Sequence, residues 1–223
     1  MDGSGLLFSD FISSLPSDTK TVVVAYPPDR ALGYSELEAI VRANLPPNSP
    51  YFLVGESFSG PIAIALAASR PNGLCGLILV CSFARSPITI PSWLRPLISI
   101  LPVWLMPTRI AAAVLLGKSA TSEIRDRLSS AIARVKPGVW RSRVQAVLSV
   151  DVTRHLSEIS VPALYLRGEH DRVVPQSASE LIARYLPRLK VIELDGPHFM
   201  LQAKPIDSAA QVIAFAREVE FAL

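Results

Sequence analysis

Short apolar runs of strand length alternate with amphipathic stretches along most of this chain. Thr21-Val22-Val23-Val24-Ala25-Tyr26 predicts a strand, closed by Pro27-Pro28. Tyr34 to Leu45 predicts a helix, with Ser35 and Glu38 spaced as a capping box. Tyr51-Phe52-Leu53-Val54 predicts a strand apolar enough to be buried on both faces. It leads through a Gly/Ser turn into the helical stretch Pro61 to Ala68. A further strand is expected at Gly76 to Cys81, and another beginning at Ala163, just after Val161-Pro162. Ser177 to Leu186 predicts a helix and Lys190 to Leu194 the last strand. Pro205 is a good first-turn proline for a final amphipathic helix. Near the N-terminus, Leu6, Leu7, Phe8, Phe11, Ile12 and Leu15 form the apolar stripe of a helix that should dock on the sheet. This alternation predicts an α/β fold, a mostly parallel sheet with helices on both faces. No internal repeat or low-complexity linker interrupts it.

One stretch breaks the rhythm. Residues 85–152 show no clear strand and open with prolines among bulky apolar groups, Trp93, Leu94, Trp104, Leu105 and Met106 among them. Helical segments follow. We expect a core formed by 1–84 and 153–223, and an inserted helical cap or lid formed by 85–152. Such a lid would make an apolar acyl pocket and exclude water. Leu97 to Leu116 is apolar enough to raise a membrane helix, but Pro102, Pro107 and Arg109 interrupt it.

The chemistry concentrates where strands end. Gly55-Glu56-Ser57-Phe58-Ser59-Gly60 follows a strand and opens a helix, the setting of a nucleophile elbow. A nucleophile on so sharp a turn needs small neighbours two residues away, and Gly55 and Ser59 supply them. Ser59 as nucleophile would put Pro61 at a small position, where it fits badly. The turn lifts the Ser57 hydroxyl to the N-terminus of the next helix, where backbone amides stabilise negative charge. A serine needs a base, and the base an orienting acid. His198 lies just past the last predicted strand, in Asp195-Gly196-Pro197-His198-Phe199. Asp171 lies just past the strand before it, in Gly168-Glu169-His170-Asp171-Arg172-Val173-Val174-Pro175. All three residues would emerge at the carboxyl end of a parallel sheet. Glu169 remains an alternative acid. His170 reads as a loop histidine and His155 as a solvated one. Asp195 reads as a loop-fixing residue, too near His198 in sequence to orient it.

These three motifs, in the order Ser57, Asp171, His198, resemble the α/β-hydrolase family, and the resemblance runs from about Thr21 onward. It implies a carboxylic ester hydrolase working through an acyl-enzyme on short to medium acyl esters, with catalytic Ser57, Asp171 and His198. Other serine chemistry on this fold (thioester or carbon–carbon cleavage) and a catalytically dead binding module stay open. The resemblance also places a cap at 85–152. It implies three strands upstream of Thr21, the third lying between Thr21–Tyr26 and the elbow strand. This sequence does not contain them, so the expected sheet is shortened at its N-terminal side. Met1-Asp2-Gly3-Ser4-Gly5 takes the place of the loop that gives one oxyanion amide. The expected oxyanion donors are therefore the amide of Phe58 and that of Met1 or Asp2. No cofactor is implied.

Composition narrows the partners. Of 223 residues, half are hydrophobic and 18% charged, and mean hydropathy is +0.36, which supplies a core and argues against disorder. A net charge of +3 is small, and the densest basic set, Arg125, Arg127, Arg134, Lys136, Arg141 and Arg143, reads as a solvated helix face. Without interleaved aromatics it gives no nucleic-acid site. Cys75 and Cys81 flank one strand and form no disulfide framework, and no Cys/His cluster has metal-ligand spacing. The expected partner is a small-molecule ester, with no nucleic acid and no stable membrane insertion; a homo-oligomer is left open. No secretory leader is visible, so a cytoplasmic location is expected.

Overall fold

The computed structural model describes residues 2–47, 49–88, 93 and 107–220. Among the described residues four strands form one parallel sheet in the order β1 (Tyr51–Glu56), β2 (Leu74–Val80), β3 (Ala163–Gly168) and β4 (Leu189–Leu194). Each strand pairs with the next in sequence, so every connection crosses over a face of the sheet. The helices are α1 (Ser9–Ser13), α2 (Tyr34–Ala43), α3 (Gly60–Ala68), α4 (Thr108–Leu115), α5 (Ser122–Ala133), α6 (Pro137–Ser149), α7 (Thr153–Leu156), α8 (Gln176–Tyr185), α9 (Met200–Ala203) and α10 (Pro205–Glu220).

The period-two geometry of strands sorts the core. Leu77 and Leu79 of β2 face Ala63, Ile64 and Ala67 of α3 and Ile182 of α8. Ile78 and Val80 face the other way, onto Phe11 of α1 and Val212 and Phe215 of α10. Tyr165 and Leu164 divide in the same manner on β3. Helices therefore cover both faces, and β2 and β3, buried on both, are the near-continuous apolar runs such strands require. Helix α3 is buried at every residue but Ala65, which is why its sequence lacks a polar stripe.

Several boundaries differ from expectation. Thr21–Tyr26 is not a strand: its residues join no sheet among the described residues, where β1 stands at the sheet edge. A run of β-branched residues becomes a strand only beside a partner for its backbone. Here the Tyr26 amide donates instead to the Gly3 carbonyl at 2.7 Å. The α2 cap lies two residues earlier than predicted, where the Gly33 amide donates to the Glu36 carboxylate at 2.7 Å. The N-terminal stripe divides. Phe11 docks beneath the sheet, whereas Leu7 packs against Ala112 and Leu116 near α4 and Leu128 and Ala131 of α5.

The chain leaves the core and returns at one neck. Ser86 N–H donates to Val150 O at 3.0 Å and Val152 N–H to Ala84 O at 2.8 Å, around the antiparallel bridge Arg85–Asp151. Between them the described residues are helical. Trp93 is exposed, and Leu94, Trp104, Leu105 and Met106 lie outside the described residues. Among the described residues no helix is long and apolar enough to cross a membrane.

Candidate active site

Ser57 directly follows β1, at the start of a single tight turn, Ser57–Ser59, that feeds α3. Its φ is +49°, a left-handed conformation that is unfavourable for a residue with a Cβ and persists only where surrounding structure enforces it. The enforcement is visible. A side chain at Gly55 would come within 2.8 Å of the Ala63 Cβ. One at Gly60 would fall 1.6 Å from the Ser82 hydroxyl, which itself donates to the Ser57 carbonyl at 2.7 Å. The glycine one place beyond the usual small position is thus required by Ser82. Ser82 is held in turn by the buried Tyr165, whose hydroxyl donates to its carbonyl at 2.6 Å and accepts from its amide at 2.9 Å. Ser59 is engaged elsewhere, accepting from the Tyr26 hydroxyl at 3.0 Å.

His198 and Asp171 converge on Ser57 from the ends of β4 and β3. The Ser57 Oγ lies 2.8 Å from His198 Nε2. His198 Nδ1 lies 3.0 and 2.9 Å from the two Asp171 oxygens. Asp171 Oδ1 also accepts from the amides of Val173 and Val174 at 2.8 and 2.9 Å. An ionised carboxylate satisfies those donors, so Nδ1 carries the proton and Nε2 is the acceptor facing serine. Both side chains are almost wholly buried. Gly168 lets the two loops meet, since a Cβ there would lie 2.6 Å from the carbonyls of Gly196 and Pro197.

The alternative residues lie outside this chain of contacts. Glu169 is exposed. His170, read as a loop histidine, is one, and pairs with Asp195 at 3.2 Å on the exposed side of the loops, so Asp195 holds a histidine rather than its own backbone. His155 pairs with Glu158 at 3.2 Å. Cys81 has its thiol within 4.8 Å of ligand atoms of both Asp171 and His198; burial, then the neighbouring carboxylates, pushes its pKa well up, so it stays a protonated thiol.

Phe58 is buried, its ring stacked on Tyr34 at 4.8 Å, which fixes the backbone beside Ser57. Met1 lies outside the described residues. Asp2, Gly3 and Gly5 line one small cavity together with Glu56, Ser57 and Phe58. The Glu56 carboxylate accepts from the Leu201 amide at 3.3 Å and from Gln202 at 2.9 Å, tying β1 to the helix just after His198. Burial holds its pKa above the usual carboxylate range. Sequence reasoning missed Tyr26, Ser82, Tyr165 and Gln202, because their roles arise only from contacts between distant segments. It misplaced Arg143, which is 1% exposed rather than solvated.

Comparisons with known proteins bear on the family and the fold. A Klebsiella pneumoniae protein that bears the provisional name carbamate hydrolase RutD is 25% identical over 156 residues, 65% of this chain and 57% of that protein. Monoglyceride lipase of Mus musculus is 25% identical over 144 residues, 61% of this chain and 46% of the lipase. The chain thus spans about half the length of these relatives. The solved structure of a hydrolase from Oleispira antarctica superposes with a TM-score of 0.82 at 15% identity, covering 97% of this chain and 88% of that one, which shows a shared α/β-hydrolase fold. The sequence profile of the family described as serine aminopeptidase, S33, matches residues 35–194, well over half the chain, and takes in Ser57 and Asp171. The chain belongs to that serine hydrolase family.

Proposed function

We propose that the protein hydrolyses carboxylic esters of short to medium acyl chain through an acyl-enzyme on Ser57. The observation that carries this reading is the continuous path from Ser57 Oγ through His198 to Asp171, 2.8 Å and 2.9 Å, on a strained turn. Ser57 Oγ attacks the acyl carbon while His198 Nε2 takes its proton. The Phe58 amide faces the developing oxyanion. As the tetrahedral species collapses, His198 returns the proton to the leaving alcohol. Water, activated by the same nitrogen, then releases the acid. Asp171 keeps the imidazole in the required tautomer and stabilises its charged form. The names of the relatives, a carbamate hydrolase and a monoglyceride lipase, share attack on an acyl carbon bearing an oxygen or nitrogen leaving group, which supports the reaction class. The 85–152 segment, closed at its neck beside β2, is the part we assign to acyl selection as a cap.

Labelling with a fluorophosphonate, followed by rates on nitrophenyl esters of increasing acyl length, tests the reading. Stoichiometric labelling of Ser57 and a maximum at short to medium chains are expected. A folded protein that neither labels nor turns over any ester would be a binding module on this fold.

A further inference from the structure

Arg143 sits on α6, within the inserted segment, yet its guanidinium is buried at the opposite end of the chain's sequence. One nitrogen donates to the Asp2 carbonyl at 2.8 Å and another to the Pro27 carbonyl at 3.0 Å. The group lies 5.9 Å from the centroid of the Tyr26 ring. The contact with the N-terminal turn is close: a Cβ on Gly3, whose φ is +67°, would stand 2.9 Å from Tyr26 and 3.2 Å from Arg143. The Gly3 carbonyl accepts from Tyr26 at 2.7 Å, and the Asp2 carboxylate accepts from the Ser4 amide and hydroxyl at 2.9 and 2.6 Å. The turn is therefore gripped from three sides, and it lines the cavity it shares with Ser57 and Phe58.

The Asp2 carbonyl and the Gly3 N–H belong to one peptide unit. In a trans peptide they point in opposite directions, and among the described residues no peptide bond is cis. Holding the oxygen therefore aims the N–H away from Arg143, and among the described residues that N–H meets no acceptor. A guanidinium on the oxygen also polarises the peptide and strengthens its other end as a donor. We propose that Arg143 is a positioning residue that presents the Gly3 amide, rather than that of Met1 or Asp2, as the second oxyanion donor beside Phe58. The inserted segment then contributes to the chemical step as well as to substrate choice. This rests on the acyl-transfer reading above.

Arg143→Met and Arg143→Lys test it, with the wild-type full chain as reference. Active sites are titrated with the fluorophosphonate, and kcat, KM and the inhibition constant of a trifluoromethyl ketone are measured per titrated site. The ketone forms a stable tetrahedral oxyanion on serine. We expect kcat of Arg143→Met to fall about 10²-fold, as for loss of one oxyanion donor, with KM changed only a few-fold. The ketone's inhibition constant should rise by a similar factor. Arg143→Lys keeps the charge but loses the fork, and should fall between. A folded variant with near-normal kcat per site and an unchanged inhibition constant overturns the proposal. So does failure of both variants to fold, which would make the arginine purely structural. An inert wild type would instead overturn the acyl-transfer reading.

Discussion

The residue Glu56 neighbours Ser57 and yet is acidic, and its carboxyl titrates above the usual range because it is buried. The sign follows from linkage. A carboxyl whose folded pKa is raised favours the folded state while protonated, and that contribution is lost as pH rises through the folded value. Above the usual carboxylate range, where the unfolded chain has given up this proton, Glu56 therefore costs stability. Glu56→Gln should raise the melting temperature at pH 7 to 8, with the gain shrinking as pH falls toward 4; a gain that is equal at both ends, or absent, would separate stability from this group. Two further outcomes belong at this scale. Ser57→Ala should abolish ester hydrolysis while Ser59→Ala, which loses only its contact with Tyr26, retains most of it. Asp171→Asn should lose roughly 10⁴-fold in kcat with the fold intact, as in other triads. A near-normal rate for that variant would rule out Asp171 as the orienting acid and move that role to Glu169 or elsewhere.

At the scale of elements, the elbow is a three-part fitting of β1, α3 and the residue just beyond β2. Gly60 packs on Ser82 so closely that Gly60→Ala must displace one of them. Overpacking of this kind typically costs about 1–3 kcal/mol. Because the clash is with one side chain, Gly60→Ala should cost less in a Ser82→Gly background than alone, a coupling readable from a double-mutant cycle in urea. Additive costs would mean that the neighbouring backbone, not Ser82, sets the requirement. The elements were legible in the sequence wherever a local pattern suffices. β2 and β3 read as apolar runs, Pro205 marked the last helix, and Ser57, Asp171 and His198 stood out because each follows a strand in the proper order. Thr21–Tyr26 was misread because its valines match a strand in propensity, while pairing depends on a neighbour that no local window contains. Arg143 was misread for the same reason: its spacing matches a helix face, and only the turn formed by Asp2 and Gly3 shows which face is buried.

At the scale of the molecule, the sheet ends at β1, where Val54 of the strand is exposed and Val22 and Val23 lie exposed in the extended segment before α2. Edge strands with apolar residues are sites of unwanted pairing. Placing a lysine at Val54 should lower association at high protein concentration, measured by light scattering, while leaving ester turnover per labelled site within a few-fold of wild type. Scattering that does not change would exclude this edge as the adhesive surface.

The neck at Ala84–Ser86 and Val150–Val152 has a consequence for how such a molecule can change over generations. Because the chain departs and returns through adjacent hydrogen-bonded residues, the intervening stretch can be exchanged or resized while the strands on either side keep their spacing. Insertions at such points are the cheap ones for a domain. But α6 carries Arg143 on the returning arm, gripping the opening turn of the chain. On the roles proposed above, a transplanted segment without an equivalent cation would bring a new acyl preference together with a slower chemical step. With the roles proposed for 85–152 and Arg143, selectivity and speed would be inherited together through one side chain, and lineages that diversify in substrate would do so mainly in the outgoing arm, before α6.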